Sequence, residues 1–198
     1  LRRRPCVGNL ALAGNLKIEL VGELLASKGH DVEIPSQGEC GERSARYFPA
    51  FQEVTGGQRP LPMYYASALP VRFITGYWSA SGLLSIFKAR HSARPFDAVI
   101  IYNLKVPQVT VALYVAERLG LPTIVEFEDD SFVDIVGKAE TASIRARQLR
   151  ARELQVLEQA TASICVSPHL QARFPPDTPS VLLRGVISEQ VTEHGAGS

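Results

Sequence analysis

Short apolar runs alternate with longer segments of helical period along almost the whole chain. Parallel strands buried on both faces read as continuous apolar runs and need helices as crossovers, so this alternation predicts an α/β sheet of parallel strands. The first run, Arg4 to Gly8, predicts a strand, followed by a loop to Gly14 and a helix from Leu16 to Lys28. Ile18, Val21 and Leu25, flanked by Leu20 and Leu24, mark the apolar stripe of that helix. Asn15 is suited to its N-cap and Gly29 to the left-handed residue that ends it. Further strands are predicted over Asp31 to Ile34, Leu61 to Ala66, Phe96 to Tyr102, Pro122 to Phe127, Ala162 to Val166 and Ser180 to Leu183. Between them the helical period returns over Pro70 to His91, Pro107 to Leu119 with Gly120 as its stop, Lys138 to Gln159 and Pro168 to Phe174. Seven strands interleaved with helices predict a Rossmann-like, doubly wound, mainly parallel sheet.

The pattern fails in two places. Pro35 to Gln58 is rich in Gly, Ser, Glu and Arg, which predicts a long loop with a short helix near Arg43 to Phe51, either a lid or substrate loop or a disordered segment. Ser188 to Ser198 carries no period and reads as a linker or terminal tail, so residues 1–187 are expected to form one domain.

Composition narrows the class. Hydrophobic residues at 45% and charged residues at 21% of the 198 fit an ordinary globular domain, not a disordered or fibrous one. A formal charge of +1 removes the general electrostatic case for nucleic-acid binding. Cys6, Cys40 and Cys165 are odd in number and lack metal-type spacing, which favours buried or free thiols in a reducing, cytoplasmic setting. No run reaches the roughly 18 apolar residues of a transmembrane helix, and the Leu1 to Pro5 start has no signal-peptide pattern after it and reads as a trimmed start before the first strand. His30 falls between a helix stop and a strand, and His91 and His169 are isolated from any cysteine or histidine partner, so no zinc site is expected.

In an open parallel sheet, ligands bind outside the carboxyl ends of the strands. Four loops qualify. Gly8 to Asn15 leads into a helix whose amino end could hold an anion, or simply turns and caps the chain. Asn103 to Lys105 offers polar groups for hydroxyls or phosphates, or is simply a surface turn before a helix start. Glu126 to Ser131 gathers Glu126, Glu128, Asp129 and Asp130, and like charges so crowded suit a general base, a metal ligand or contacts to sugar hydroxyls, or else some cap the following segment and the rest are solvated. Glu126 and Glu128 share one face of their strand, with Phe127 on the other. Arg184 to Val186 could bind an anion or simply turn the chain out of the domain.

Two helices carry clustered charge. Val71 to Arg94 mixes Phe73, Tyr77, Trp78 and Phe87 with Arg72, Lys88, Arg90 and Arg94, compatible with an anionic membrane surface or with a core helix whose carboxyl end is basic. On the helix with Arg145, Arg147, Arg150 and Arg152, Arg150 can pair with Glu153, and the charges read as a solvated face.

Several segments, in order and spacing, resemble the N-terminal domain of GT-B glycosyltransferases of family four. They are Gly14-Asn15 before the first helix, LLASKGHDVEI (Leu24 to Ile34), FDAVIIY (Phe96 to Tyr102), LGLPTIVEFEDD (Leu119 to Asp130), ATASICVSP (Ala160 to Pro168) and VLLRGVI (Val181 to Ile187). The resemblance spans nearly the whole chain. It implies transfer of a hexosyl group from a nucleoside diphosphate sugar to an acceptor hydroxyl, in bacterial surface polysaccharide or glycolipid synthesis, with no cofactor and no metal. Donor binding would fall mainly to a second, C-terminal domain absent from this chain, so the chain alone is expected to be inactive. Gly14 and Asn15 would face the donor phosphates, Glu128 and Asp129 would be the catalytic positions, and Asn103, Lys105 and Glu126 would meet an acceptor glycan or lipid-linked sugar. The implied setting is cytoplasmic, with peripheral contact at the inner face of the membrane. Relatives commonly have Asn-Gly-Val where this chain has Arg184-Gly185-Val186. A GT-A type, metal-dependent glycosyltransferase is the alternative enzyme, because IVEFEDD (Ile124 to Asp130) also resembles an acidic metal-binding motif. The other alternative is a Rossmann-like binding module without turnover.

Overall fold

A computed structural model of the chain describes residues 12–38, 46–56, 58–71, 74–129 and 144–183. The expected strand at Arg4 to Gly8, the residues Cys6, Cys40 and Asp130, the Arg184 to Val186 loop and the tail lie outside them.

The first described element is helix α1 (Leu12–Ser27). It starts earlier than the sequence pattern implies, so Gly14 and Asn15 sit at the beginning of the helix and not in a loop, and Asn15 is not its N-cap. Its end follows the expectation. Gly29 has φ +91°, the His30 amide donates to the Leu25 carbonyl and the Gly29 amide to the Ala26 carbonyl, which is the Schellman arrangement of a helix closed by glycine.

Two sheets follow. β1 (Ile34–Ser36) pairs in parallel with β3 (Pro62–Tyr65), and β2 (Phe51–Val54) pairs antiparallel with the other edge of β3. β2 stands where a loop was expected, and the segment before it is not helical: Phe48 bridges antiparallel to Ala68. The Phe51 ring stacks on Tyr65 at 4.4 Å, a cross-strand aromatic pair that fixes the register of this short strand.

The second sheet is wholly parallel, in the order β4 (Val99–Tyr102), β5 (Thr123–Phe127), β6 (Ala162–Cys165), β7 (Ser180–Leu182). Its crossovers are α3 (Val106–Tyr114), extended by a π-helical turn over Val115–Leu119, then α4 (Ile144–Gln159) and the short α5 (Pro168–Gln171). Pro107 sits in the first turn of α3, where no amide is needed, and Gly120 ends the π turn with φ +63°. The Rossmann-like, mainly parallel α/β class is borne out, with its described strands divided between two sheets and one of them antiparallel.

The principal core lies where α2 (Thr75–Ala93), α3 and α4 pack on this parallel sheet. Phe87 of α2, Val109 and Val115 of the α3 segment, Val125 and Phe127 of β5, Leu157 of α4 and Cys165 of β6 are buried together. Glu153 of α4 is also buried and pairs with Arg150 at 3.0 Å, so this part of the charged helix faces inward and is not a solvated surface. The Cys165 thiol is free, and burial pushes its pKa up. His91 accepts a hydrogen bond from the Phe96 amide at 3.1 Å, tying the end of α2 to the approach to β4.

Burial of this order sets a direct stability test. Leu157→Ala removes a fully enclosed side chain and is expected to lower the unfolding free energy by about 2–5 kcal/mol. Leu16→Ala, on the exposed side of α1, should change it by no more than about 0.5 kcal/mol. Urea titration of both variants measures the contrast, and equal losses would place the core elsewhere.

Candidate active site

The strand ends expected to hold a ligand do converge. β4 finishes at Tyr102 and β5 at Phe127, and the two strands run in parallel register with Tyr102 opposite Glu126. Their next residues, Asn103 on one side and Glu128 and Asp129 on the other, leave the sheet side by side. The start of α1 lies over the same end.

Asn103 joins the two loops. It adopts φ +54°, a left-handed conformation that asparagine tolerates better than most residues. Its amide donates to the Glu126 carbonyl at 2.8 Å, while its side-chain oxygen accepts from the amides of Glu128 at 2.8 Å and Asp129 at 3.1 Å. The acidic loop is therefore pinned by its backbone, leaving its carboxylates to act by side chain alone.

Lys17 supplies the charge that makes this loop tenable. It reaches from α1 with only 8% of its surface exposed and lies 2.8 Å from the carboxylate of Glu126, itself 2% exposed. The same ammonium hydrogen-bonds to Glu128, which also accepts the Tyr102 hydroxyl. Burial works against the Lys17 charge, but hydrogen bonds and attraction from Glu126 and Glu128 outweigh it and raise its pKa. Burial and the Glu128 carboxylate push the Tyr102 pKa well above the ordinary phenol range, so its hydroxyl remains a donor.

Gly14 gives this cluster its room. A Cβ there would stand 2.4 Å from the Tyr102 hydroxyl oxygen, so any larger residue displaces the tyrosine from Glu128. Gly14 and Lys17 are both buried near the start of α1, one helical turn apart.

Of the residues expected from sequence, Gly14, Asn103, Glu126, Glu128 and Asp129 meet at this end of the sheet. Glu126 is enclosed against Lys17, and Asn103 is committed to the loop backbone. Lys105, the exposed residue preceding α3, borders the same space between the two sheets as Asn103, Glu126 and Asp129. Asp129 is exposed beside the cluster. Lys17 and Tyr102 were not singled out by sequence, although a lysine inside the apolar stripe of α1 was a detectable signal.

A space of about 870 Å³ lies between the two sheets. Ile18 and Val21 of α1, Ile34, Leu83 and Val99 form apolar walls, and Asn15, Asn103, Glu126 and Asp129 line it from the carboxyl ends.

In an open parallel sheet ligands bind beyond the carboxyl ends of the strands, and that is where this charged cluster lies. Residues 17–176 match the glycosyl transferase 4-like domain, and the chain belongs to that family, of the N-terminal GT-B type. That membership sets aside the GT-A alternative. No curated protein matches the sequence. Among the described residues, no helix is long and apolar enough to cross a membrane.

The ion cluster predicts a pH-dependent stability. Lys17→Met leaves Glu126 buried without its cation and should cost about 3–5 kcal/mol near neutral pH. Because the folded-state pKa of Lys17 is raised, its contribution is complete below the free-lysine value of about 10.4 and fades as pH rises through the higher folded value. Thermal midpoints of the wild type and Lys17→Met across the alkaline range should therefore converge only at strongly alkaline pH. A gap that widened there would contradict the pairing.

Proposed function

We propose that this domain forms the acceptor side of a sugar-nucleotide glycosyltransferase, moving a hexosyl group from a nucleoside diphosphate sugar to the hydroxyl of a glycan or lipid-linked sugar. The observation that carries the mechanism is the unequal commitment of two neighbouring carboxylates. Glu128 is held by Lys17 and Tyr102, whereas Asp129 is exposed on a loop whose backbone Asn103 fixes. Asp129 is the residue positioned to accept the proton of the attacking hydroxyl, and Glu128 orients it and keeps the local field negative.

That field also bears on the donor. One ammonium against Glu126, Glu128 and Asp129 leaves excess negative charge, which disfavours a diphosphate at this spot and suits hydroxyl groups. In this reading the diphosphate sits against the amino end of α1, where the amides and positive dipole near Gly14 and Asn15 offset part of that charge. A second domain holds most of the nucleotide. The reaction calls for no metal or other cofactor in this half. Surface polysaccharide or glycolipid assembly at the inner face of a bacterial membrane is the setting that fits such an acceptor.

The test is sugar transfer by the full-length protein with a panel of nucleoside diphosphate sugars, read by release of the nucleoside diphosphate. Asp129→Asn should lower kcat by about 10²–10⁴-fold with little change in the KM for donor. Glu128→Gln should lower activity and thermal stability together. An Asp129→Asn protein with full kcat would reverse the two roles, and absence of transfer with every donor would remove the catalytic reading.

A further inference from the structure

The amino end of α3 follows directly on Asn103 and carries a polar group that the rest of the fold does not use. Lys105 is the N-cap of this helix, Pro107 its second residue and Gln108 its third. From the third position a glutamine ordinarily reaches back to the N-cap amide and closes the helix start. Gln108 makes no such bond: its carboxamide oxygen is enclosed and meets no donor among the described residues.

A buried acceptor without a donor weakens the folded state, so its persistence at a defined position calls for a physical reason. The surroundings supply one. Gln108 borders the space between the two sheets together with Asn103 and Asp129, and Val111, one turn further along α3, continues the same wall with an apolar side chain. The last torsion of a glutamine side chain is soft, so the oxygen can be presented to that space without moving the helix.

Asn103 supplies the complementary group. It is 8% exposed and turns its own carboxamide oxygen to the amides of Glu128 and Asp129. The nitrogen of a carboxamide diverges from its oxygen, and the Asn103 NH2 group meets no acceptor among the described residues. An enclosed acceptor and a fixed donor, one on each side of the β4–α3 turn, are matched by a hydroxyl group, which gives one hydrogen bond and takes another. A phosphate or carboxylate fits the pair poorly, because its oxygens have no proton to offer Gln108.

We propose that the Gln108 oxygen and the Asn103 NH2 group together hold one hydroxyl of the acceptor sugar, a different hydroxyl from the one that Asp129 deprotonates. The inference rests on the acceptor-side reading of the domain and adds to it a residue that selects the acceptor. A sugar with that second hydroxyl gives Gln108 the bond it lacks in the free protein, whereas a sugar without it leaves the oxygen unpaired in an enclosed site.

The probes are the methyl glycosides of glucose, galactose, mannose and N-acetylglucosamine with their monodeoxy derivatives, titrated into the full chain and followed through its side-chain amide signals by NMR. Asn103→Ala and Gln108→Met identify the two signals. Saturable binding of a glycoside should move both together. Gln108→Met, which keeps the length of the side chain and removes the oxygen, should weaken that binding by about tenfold. One monodeoxy derivative should lose about the same factor against the wild type and nothing further against Gln108→Met, a non-additivity that a purely structural glutamine does not produce. Without sugar, the thermal midpoint of Gln108→Met should equal or exceed that of the wild type, since the substitution breaks no hydrogen bond of the oxygen. Stationary signals with every glycoside, unchanged binding in Gln108→Met, additive losses for every monodeoxy derivative, or a lowered midpoint would each overturn the proposal. Sugar transfer by the full-length protein separates it from the catalytic reading. Transfer with an unchanged KM for the accepted glycoside in Gln108→Met removes the pair alone, whereas binding through the pair without transfer from any donor removes the catalysis and leaves the pair.

Discussion

Burying Glu126 at the end of β5 is the constraint around which this end of the molecule is organised. An isolated carboxylate enclosed by protein costs several kcal/mol, and it persists only where a cation and hydrogen bonds compensate. Lys17 provides the cation at 2.8 Å, and it can do so only because α1 presents it inward over the strand ends. The pairing costs Lys17 its own hydration, and Glu128 shares in offsetting that loss. Helix, strand and acidic loop thus depend on a single ammonium group.

The tightness of the cluster explains the small residue beside it. Tyr102 can donate to Glu128 only if its hydroxyl enters the space next to Gly14, where no Cβ fits. Asn103, immediately after Tyr102, uses its left-handed backbone and its side-chain oxygen to hold the amides of Glu128 and Asp129. Successive residues of one strand therefore fix the neighbouring loop twice, through a carboxylate and through its backbone. A loop held in this way keeps Asp129 exposed without leaving it free to wander.

The parallel sheet was legible because its signals are local. The apolar runs ending at Tyr102, Phe127 and Cys165 each stand between helical-period segments, and Gly29 and Gly120 end helices as their positions indicate. β2 was not legible, because Phe51-Gln-Glu-Val is brief, lies among glycines, and owes its register to Tyr65 across the sheet. The start of α1 was misplaced for a related reason: Gly14 resembles a turn residue, whereas its role is to admit Tyr102. The acidic site could be read from four carboxylates in five residues, but its organisation could not. Lys17 and Glu128 are 111 positions apart, and a lysine on an apolar stripe announces a buried partner without naming it.

The electrostatics of the site also constrain how such a domain can work with a charged donor. A diphosphate brought against Glu126, Glu128 and Asp129 would meet net negative charge in a partly enclosed space, where like charges repel more strongly than in water. The amino end of α1 offers only about half an elementary charge of opposing sign. Lys17 cannot supply the balance, since withdrawing it from Glu126 would strand that buried carboxylate. On the proposed function, strong binding of a sugar nucleotide requires cations from beyond this cluster, and the domain's own contribution is an anionic wall that suits hydroxyl groups.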